Sequence, residues 1–383
     1  MKASISAPGR FHYFELAREL RARSLLAQQF TGYPKWKLQS AERPDQLVTF
    51  PWVHTPFMFS ASLKWQTFAP TQLLDRLNRY TFDHHVARTL NPCDVFTAIS
   101  GFGLHSGRAA QKMGAKYVCD RGSTHILEQN TVLLEEHKAW GIPFRGIDAD
   151  VIDKEMAEYA TADLITVPSE FAKQTFIKQG SDRNKVVAIP LGVDLTRFTV
   201  TSPPSADTFT VCFAGGVTLR KGVQYLIQAF SKLAHPYKKL KLIGQVDQDF
   251  VAALKKKGIW HPDIELVGHV PQANLCNHFN ASHVLVLPSV EDGFGLVVPQ
   301  ALACSCPVIT TNTTGAAELI EQGKNGLVVP SRSAQALLDA LQTLADSPDP
   351  AQWRQSAAHS VKHLGGWQQY GEQVAATYKG LSA

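Results

Sequence analysis

Short β-branched apolar runs alternate with stretches of helical periodicity along most of this chain, and few folds accept that alternation. DVFTAIS (94 to 100), AKYVCD (115 to 120), ADLITVPS (162 to 169) and KVVAIP (185 to 190) come first. TFTVCFAG (208 to 215), LKLIG (240 to 244), IELVG (264 to 268), HVLVLPS (283 to 289), PVITT (307 to 311) and GLVVP (326 to 330) follow. Runs of this length and composition suit parallel sheets whose faces are covered by helices. One such helix is GVQYLIQAFSKLA, where Val223, Leu226, Ile227 and Phe230 recur at helical spacing.

With 383 residues the chain is too long for one compact core and suits two domains. ADLITVPSEF and ASHVLVLPSV echo each other, each ending in a Pro-Ser stop whose serine is placed to cap the next element. Two similar α/β halves are therefore expected, both doubly wound. The expected boundaries are 1–195, a linker at 196–207 around the Pro-Pro-Ser cluster, and 208–366. The last helix, 367–383, follows a Gly-Gly break and is expected to fold back on the first domain.

Composition excludes several classes. No apolar run approaches the ~20 residues of a membrane span, and the N-terminus lacks the apolar core of a secretory signal. The six cysteines lie mostly in strand-like runs and read as buried reduced thiols, and the Cys304/Cys306 pair has no partner at metal-ligand spacing. A net charge of +5 permits attraction to anionic lipid or polyphosphate without requiring it. Residues 30 to 90 interleave Lys35, Trp36, Lys37, Phe57, Phe59, Lys64 and Trp65 without clean periodicity. That mixture fits a membrane interface, and equally a loop-rich piece of core with snorkelling lysines.

Three stretches carry chemistry. SGFGLHSG misses the spacing of a dinucleotide fingerprint, and no acidic residue closes a following strand in the right place. In FAGGVTLRKGVQYL a strand ends at Gly215 and Gly216, and Arg220 and Lys221 stand just before a helix, the arrangement of a pyrophosphate site. In SVEDGFGLVVPQALA, Glu291 and Asp292 reach the carboxyl end of the same sheet, where Gly293 and Gly295 would admit a ligand. Carboxylates beside a phosphate site need something other than phosphate to face, and sugar hydroxyls would serve.

ADLITVPSEF, KVVAIPLGVDLTRF, FAGGVTLRKGVQYLIQAF and PSVEDGFGLVVPQALACSCPVI together resemble the retaining nucleotide-sugar glycosyltransferases of the GT-B fold, in their fourth family. The resemblance implies two Rossmann-like domains facing a central cleft, with acceptor on the N-terminal one and donor on the C-terminal one. It implies that Arg220, Lys221, Gly215, Gly216 and Gly9 serve the donor phosphates, although many members carry arginine where Gly216 stands. Gly293, Phe294, Gly295, Leu296 and Gln300 would meet the donor's sugar and nucleotide, with Val270 of GHVPQ near the base. The family's Glu-seven-Glu register falls on Asp292 and Gln300, with Glu291 one residue earlier. His125, Glu291 and Asp292 become the catalytic candidates, and Arg10, His12, Arg121 and Ser123 the acceptor side.

The activity implied is transfer of a hexose from a nucleoside diphosphate sugar to a saccharide or lipid-linked saccharide, with retention, in cell-surface polysaccharide or lipopolysaccharide assembly. No metal and no other cofactor is expected, and no nucleic acid. The protein would be cytoplasmic, in peripheral contact with an anionic inner membrane face. The rival readings are a sugar-nucleotide-binding partner without turnover and a GT-B epimerase.

Overall fold

The computed structural model describes residues 1–38, 45–62 and 69–382, so Lys64 and Trp65 lie outside the described residues. The first sheet holds β1 (Ala3–Ser6), β2 (Leu26–Thr31), β3 (Leu47–Thr49), β4 (Val95–Ile99), β5 (Lys116–Asp120), β6 (Leu164–Val167) and β7 (Val186–Ala188). Its helices are α1 (Tyr13–Ala22), α2 (Pro51–Ser62), α3 (Ala69–Thr89), α4 (Leu104–Lys112), α5 (Ile126–Trp140), α6 (Ala149–Thr161) and α7 (Glu170–Lys178). The second sheet holds β8 (Phe209–Ala214), β9 (Lys238–Ile243), β10 (Ile264–Gly268), β11 (Val284–Leu287), β12 (Val308–Thr311) and β13 (Gly326–Val329). Around it lie α8 (Val223–Lys232), α9 (Gln248–Lys256), α10 (Gln272–Asn280), α11 (Val297–Ala303), α12 (Ala334–Ala345) and α13 (Pro350–Ser360), and α14 (Gly366–Ser382) closes the chain.

Both sheets are wholly parallel. Their orders are β3-β2-β1-β4-β5-β6-β7 and β10-β9-β8-β11-β12-β13, so each reverses direction once, between β1 and β4 and between β8 and β11. Loops leaving the carboxyl ends of the strands at such a reversal diverge and open a crevice. The central strands are buried on both faces, which is why most read as unbroken apolar runs. Val223, Leu226, Ile227 and Phe230 of α8 are fully buried in the second core.

The structure corrects three readings of the sequence. The two echoing segments are not equivalent, since ADLITVPS is β6 and HVLVLPS is β11, whose counterpart in the first sheet is β4. The stop of the first meets the loop beyond the second instead: Ser169 Oγ donates to the carbonyl of Gly293 at 2.7 Å. Ser169 caps α7 through the amide of Ala172, but the buried hydroxyl of Ser289 has no partner among the described residues. The stretch from 51 to 89 contains two helices, of 12 and 21 residues, rather than irregular chain.

Two segments cross between the domains. After the first domain Phe198 already packs on Phe279 in the second core, ahead of the prolines at 203 and 204. On the return, α14 lies against α1, burying Tyr370, Val374 and Tyr378 in the first core, and Thr97 Oγ1 lies 2.6 Å from the Tyr378 hydroxyl.

Candidate active site

Gly222 determines where the basic pair sits. It adopts a left-handed conformation (φ 68°) at the start of α8, and a side chain there would meet the Pro288 carbonyl at 1.8 Å. The loop after β8 is thereby pressed on the end of β11, and the amide of Val290 donates to the carbonyl of Arg220 at 2.9 Å. That contact sets the two basic residues beside the two acidic ones. Arg220 Nε lies 2.8 Å from Glu291 Oε2, and Lys221 Nζ lies 2.5 Å from Asp292 Oδ2.

Glu291 is almost wholly enclosed. Besides Arg220 it accepts from the hydroxyls of Ser123 (2.7 Å) and Thr124 (2.8 Å), the amide of Thr124 (3.4 Å) and Nε2 of Gln129 (3.0 Å). Burial opposes its charge, but Arg220 and the bonds from Gln129 and Ser123 prevail and hold its carboxyl down at about 2. The expectation that this carboxylate faces sugar hydroxyls is corrected: the hydroxyls it takes belong to the other domain. Gly293 shares in that closure, since a side chain there would strike the Ser123 Cα at 2.5 Å.

Arg220 has capacity left. Its Nε is committed to Glu291, while its terminal amino groups have no partner among the described residues, and the side chain lines the interdomain cleft. The cleft has a volume of ≈ 710 Å³, a size typical of small-ligand sites. Its first-domain wall includes Phe11, His12, Arg121 and Ser123, and its second-domain wall includes Gln272 and Leu296. Gly216 faces open space, its nearest neighbour being a Thr218 methyl 3.6 Å from a built side chain.

Several candidates stand apart from this cleft. His125 is 1% exposed, its ring packed on Tyr159 and Phe176 and its Nδ1 capping α5 through the amide of Leu127. Burial, helped by the charge of Arg121, pushes the ring down to about 4, so it is neutral near pH 7. The histidine at the cleft is His12, with Nε2 2.9 Å from Asp120 Oδ2 though not aligned as a hydrogen bond. Arg121 is spent within its own domain on Glu155 (2.9 Å), Gln129 (2.8 Å) and the Thr124 carbonyl (3.0 Å). Val270 packs on the second core, and Gln300 and Phe294 are buried. Gly9 lies beneath the ring of Phe11, and Arg10 is exposed over Phe14.

The sequence reading missed Phe11 and Trp367, both in the cleft wall. Phe11 carried a signal, since it follows Pro-Gly-Arg at a strand end, and it adopts φ 38°, a strain that clusters at functional sites. The glycine loop SGFGLHSG is explained as well: its amides at Gly101 and Gly103 bond the buried carboxyl of Glu158, so the chain's own side chain fills that cradle. Among the described residues no cluster of His, Cys, Asp and Glu would hold a metal ion.

The sequence profile described as Glycosyl transferases group 1 matches residues 208–347, which contain the basic pair, the acidic pair and α11. Those residues form a group 1 glycosyltransferase domain. A D-inositol 3-phosphate glycosyltransferase from Pseudarthrobacter chlorophenolicus is 28% identical over 250 residues, 56% of this chain and 60% of that one. The capsular polysaccharide biosynthesis glycosyltransferase CapM of Staphylococcus aureus is 23% identical over 50% of this chain and 54% of its own. The chain thus spans little more than half the length of the curated relatives it matches. Among solved structures, Anabaena HepE in complex with UDP and glucose superposes with a TM-score of 0.70 at 18% identity, covering 99% of this chain and 100% of that one. The glycosyltransferase domain therefore sits in a GT-B fold, with Arg220 and Glu291 at the reversal of its sheet.

Proposed function

We propose that this chain transfers a hexose from a nucleoside diphosphate sugar to a hydroxyl of a saccharide or lipid-linked saccharide, with retention. The observation that carries the reading is Arg220, fixed at the switch point of the glycosyltransferase domain with its terminal amino groups facing the cleft. A guanidinium so held offers a planar fork to phosphate oxygens. In the reaction the bond from the anomeric carbon to the diphosphate oxygen breaks and the bond to the acceptor oxygen forms. The leaving phosphate takes the acceptor proton, so no separate base is required. Arg220 and Lys221 stabilise the charge that grows on the diphosphate, and Asp292 and His12 orient the sugars.

Ligand screening tests the donor class. A nucleoside diphosphate sugar at about 100 times its dissociation constant should stabilise the folded chain by about 2.7 kcal/mol. Mass spectrometry of the products then separates transfer from epimerisation. Because arginine and lysine meet the diphosphate in this reading, a chelator should leave the transfer rate unchanged. Loss of activity in chelator, restored by a divalent ion, would overturn that part.

The acceptor reading, cell-surface polysaccharide or lipopolysaccharide assembly at the inner membrane face, draws on the relatives' names and on a set of exposed side chains. Trp36, Trp52 and Phe59 are 72%, 77% and 66% exposed, with Lys35 and Lys37 beside Trp36. No helix among the described residues is long and apolar enough to cross a membrane. Aromatic rings and lysines exposed together suit headgroups and anionic lipid. The chain should float with anionic liposomes at low salt and be released as salt rises, and Trp52→Ala should lower the bound fraction. Absence of flotation at low salt would sink the membrane contact.

A further inference from the structure

We infer that the end of the second sheet opposite the cleft carries a separate binding pocket for a small amphipathic anion, a carboxylate, sulfonate or phosphate borne on an apolar body. The cavity has a volume of ≈ 470 Å³, within the range of small-ligand sites. It opens at the amino ends of β8 and β11, between the end of α12 and the start of α13. A full strand length, about 15–20 Å, separates it from the basic pair. Its walls are apolar, built chiefly from Pro203, Pro204, Phe209, Leu344 and Trp353.

The polar side chains in that wall leave donors for a ligand. Arg354 lies half-buried there, with one terminal amino group on the Ser282 carbonyl at 3.3 Å. Burial depresses its basicity, and no carboxylate among the described residues offsets the effect. His283 Nδ1 accepts from the amide of Thr210 at 3.0 Å, and His235 Nδ1 accepts from the amide of Tyr237 at 3.2 Å. A ring that accepts at Nδ1 keeps its proton on Nε2, so both histidines present N–H donors. The two rings flank Phe209, with centroids 5.1 and 5.6 Å from it. Among the described residues no acidic side chain lines the cavity. A guanidinium that meets one backbone carbonyl and no carboxylate among the described residues, together with two N–H donors in apolar walls, matches an anion with a hydrophobic body.

The cavity lies within the second domain: Pro203 and Pro204 follow the first crossing, after Phe198 has docked in the second core, and α13 precedes the return to α14. A ligand here would therefore be held by the second domain without touching the donor site.

Fluorescence titration of the full chain with anilinonaphthalene sulfonate tests the pocket, with N-phenylnaphthylamine as the same aromatic body without the anion. The sulfonate should bind saturably and persist in excess UDP. Arg354→Met should weaken the sulfonate by about tenfold or more and leave the neutral probe unchanged. Ala351→Trp, at an exposed helix position in the cavity mouth, should weaken both probes, and it carries the test if Arg354→Met fails to fold. Displacement by UDP would overturn the inference, as would equal effects of Arg354→Met on the two probes or unchanged binding in Ala351→Trp.

Discussion

Arg220→Ala should lower turnover at saturating donor by about 10²–10³-fold, the range found when one fixed donor to a developing negative charge is removed. The argument rests on how the side chain is held. Glu291 secures Nε at 2.8 Å and leaves the outer fork at the cleft, so in the proposed reaction the cation is in place before the diphosphate begins to leave. Such preorganisation acts on the transition state, and the loss should appear in kcat more than in KM. Truncation also strands Glu291, which could lower activity through folding alone. Arg220→Lys separates the two effects, because it returns a cation to Glu291 without the bidentate fork. It should recover most of the stability and only part of the rate. A folded Arg220→Ala with wild-type kcat would remove the assignment. A wild-type protein that bound donor yet neither hydrolysed nor transferred it would favour a binding partner over an enzyme.

The sequence revealed the second domain better than the first, and the reason lies in what the strands bury. β8 to β13 are largely apolar. β1 is ASIS and β2 is LAQQFT, whose Gln28 and Gln29 are buried yet polar. Gln28 is satisfied at long range, donating to the Thr89 carbonyl and accepting from the amide of Asn91. Hydrophobic pattern is blind to a strand whose side chains are satisfied in this way. The site divides along a similar line. Arg220, Lys221, Glu291 and Asp292 were legible because each follows a strand at the sheet's carboxyl end, a position that itself marks ligand sites. Their pairing spans 71 residues and depends on how the Gly222 loop packs on Pro288, which no local pattern records. His125 misled for the opposite reason. Its neighbours Arg121, Gly122 and Ser123 do line the cleft, but the cap it makes on α5 turns its ring into the core. His125→Asn, which can keep that cap, should leave transfer intact, whereas His125→Ala should cost about 1 kcal/mol of stability for the cap alone.

Glu291→Ala should be the most destabilising single change at the interface, by about 3–5 kcal/mol, because it leaves a charge and several donors without their partner. The carboxylate takes five bonds, four of them from Ser123, Thr124 and Gln129 of the other domain. It is therefore the residue through which the glycosyltransferase domain grips the start of α5. The other end of that helix returns the grip: Glu136 accepts from Gln224 (2.8 Å) and Tyr225 (2.7 Å) and pairs with Arg332 (2.9 Å), all in the second domain. An exposed pair supplies the control, since Glu265→Ala, which breaks the contact with Lys239, should cost no more than about 1 kcal/mol. Acid titration gives an independent reading. The folded-state value of about 2 lies below the unfolded value of 4.5, so the unfolded chain binds the proton first as pH falls. The stability contributed by Glu291 is complete above about pH 5 and is lost progressively towards pH 2. In Glu291→Ala that limb of the stability curve should flatten, while in Glu265→Ala it should keep its slope. Chemical denaturation across this window measures both, and a Glu291→Ala curve that kept the wild-type slope and midpoint would show that the domains are held by something other than this carboxylate.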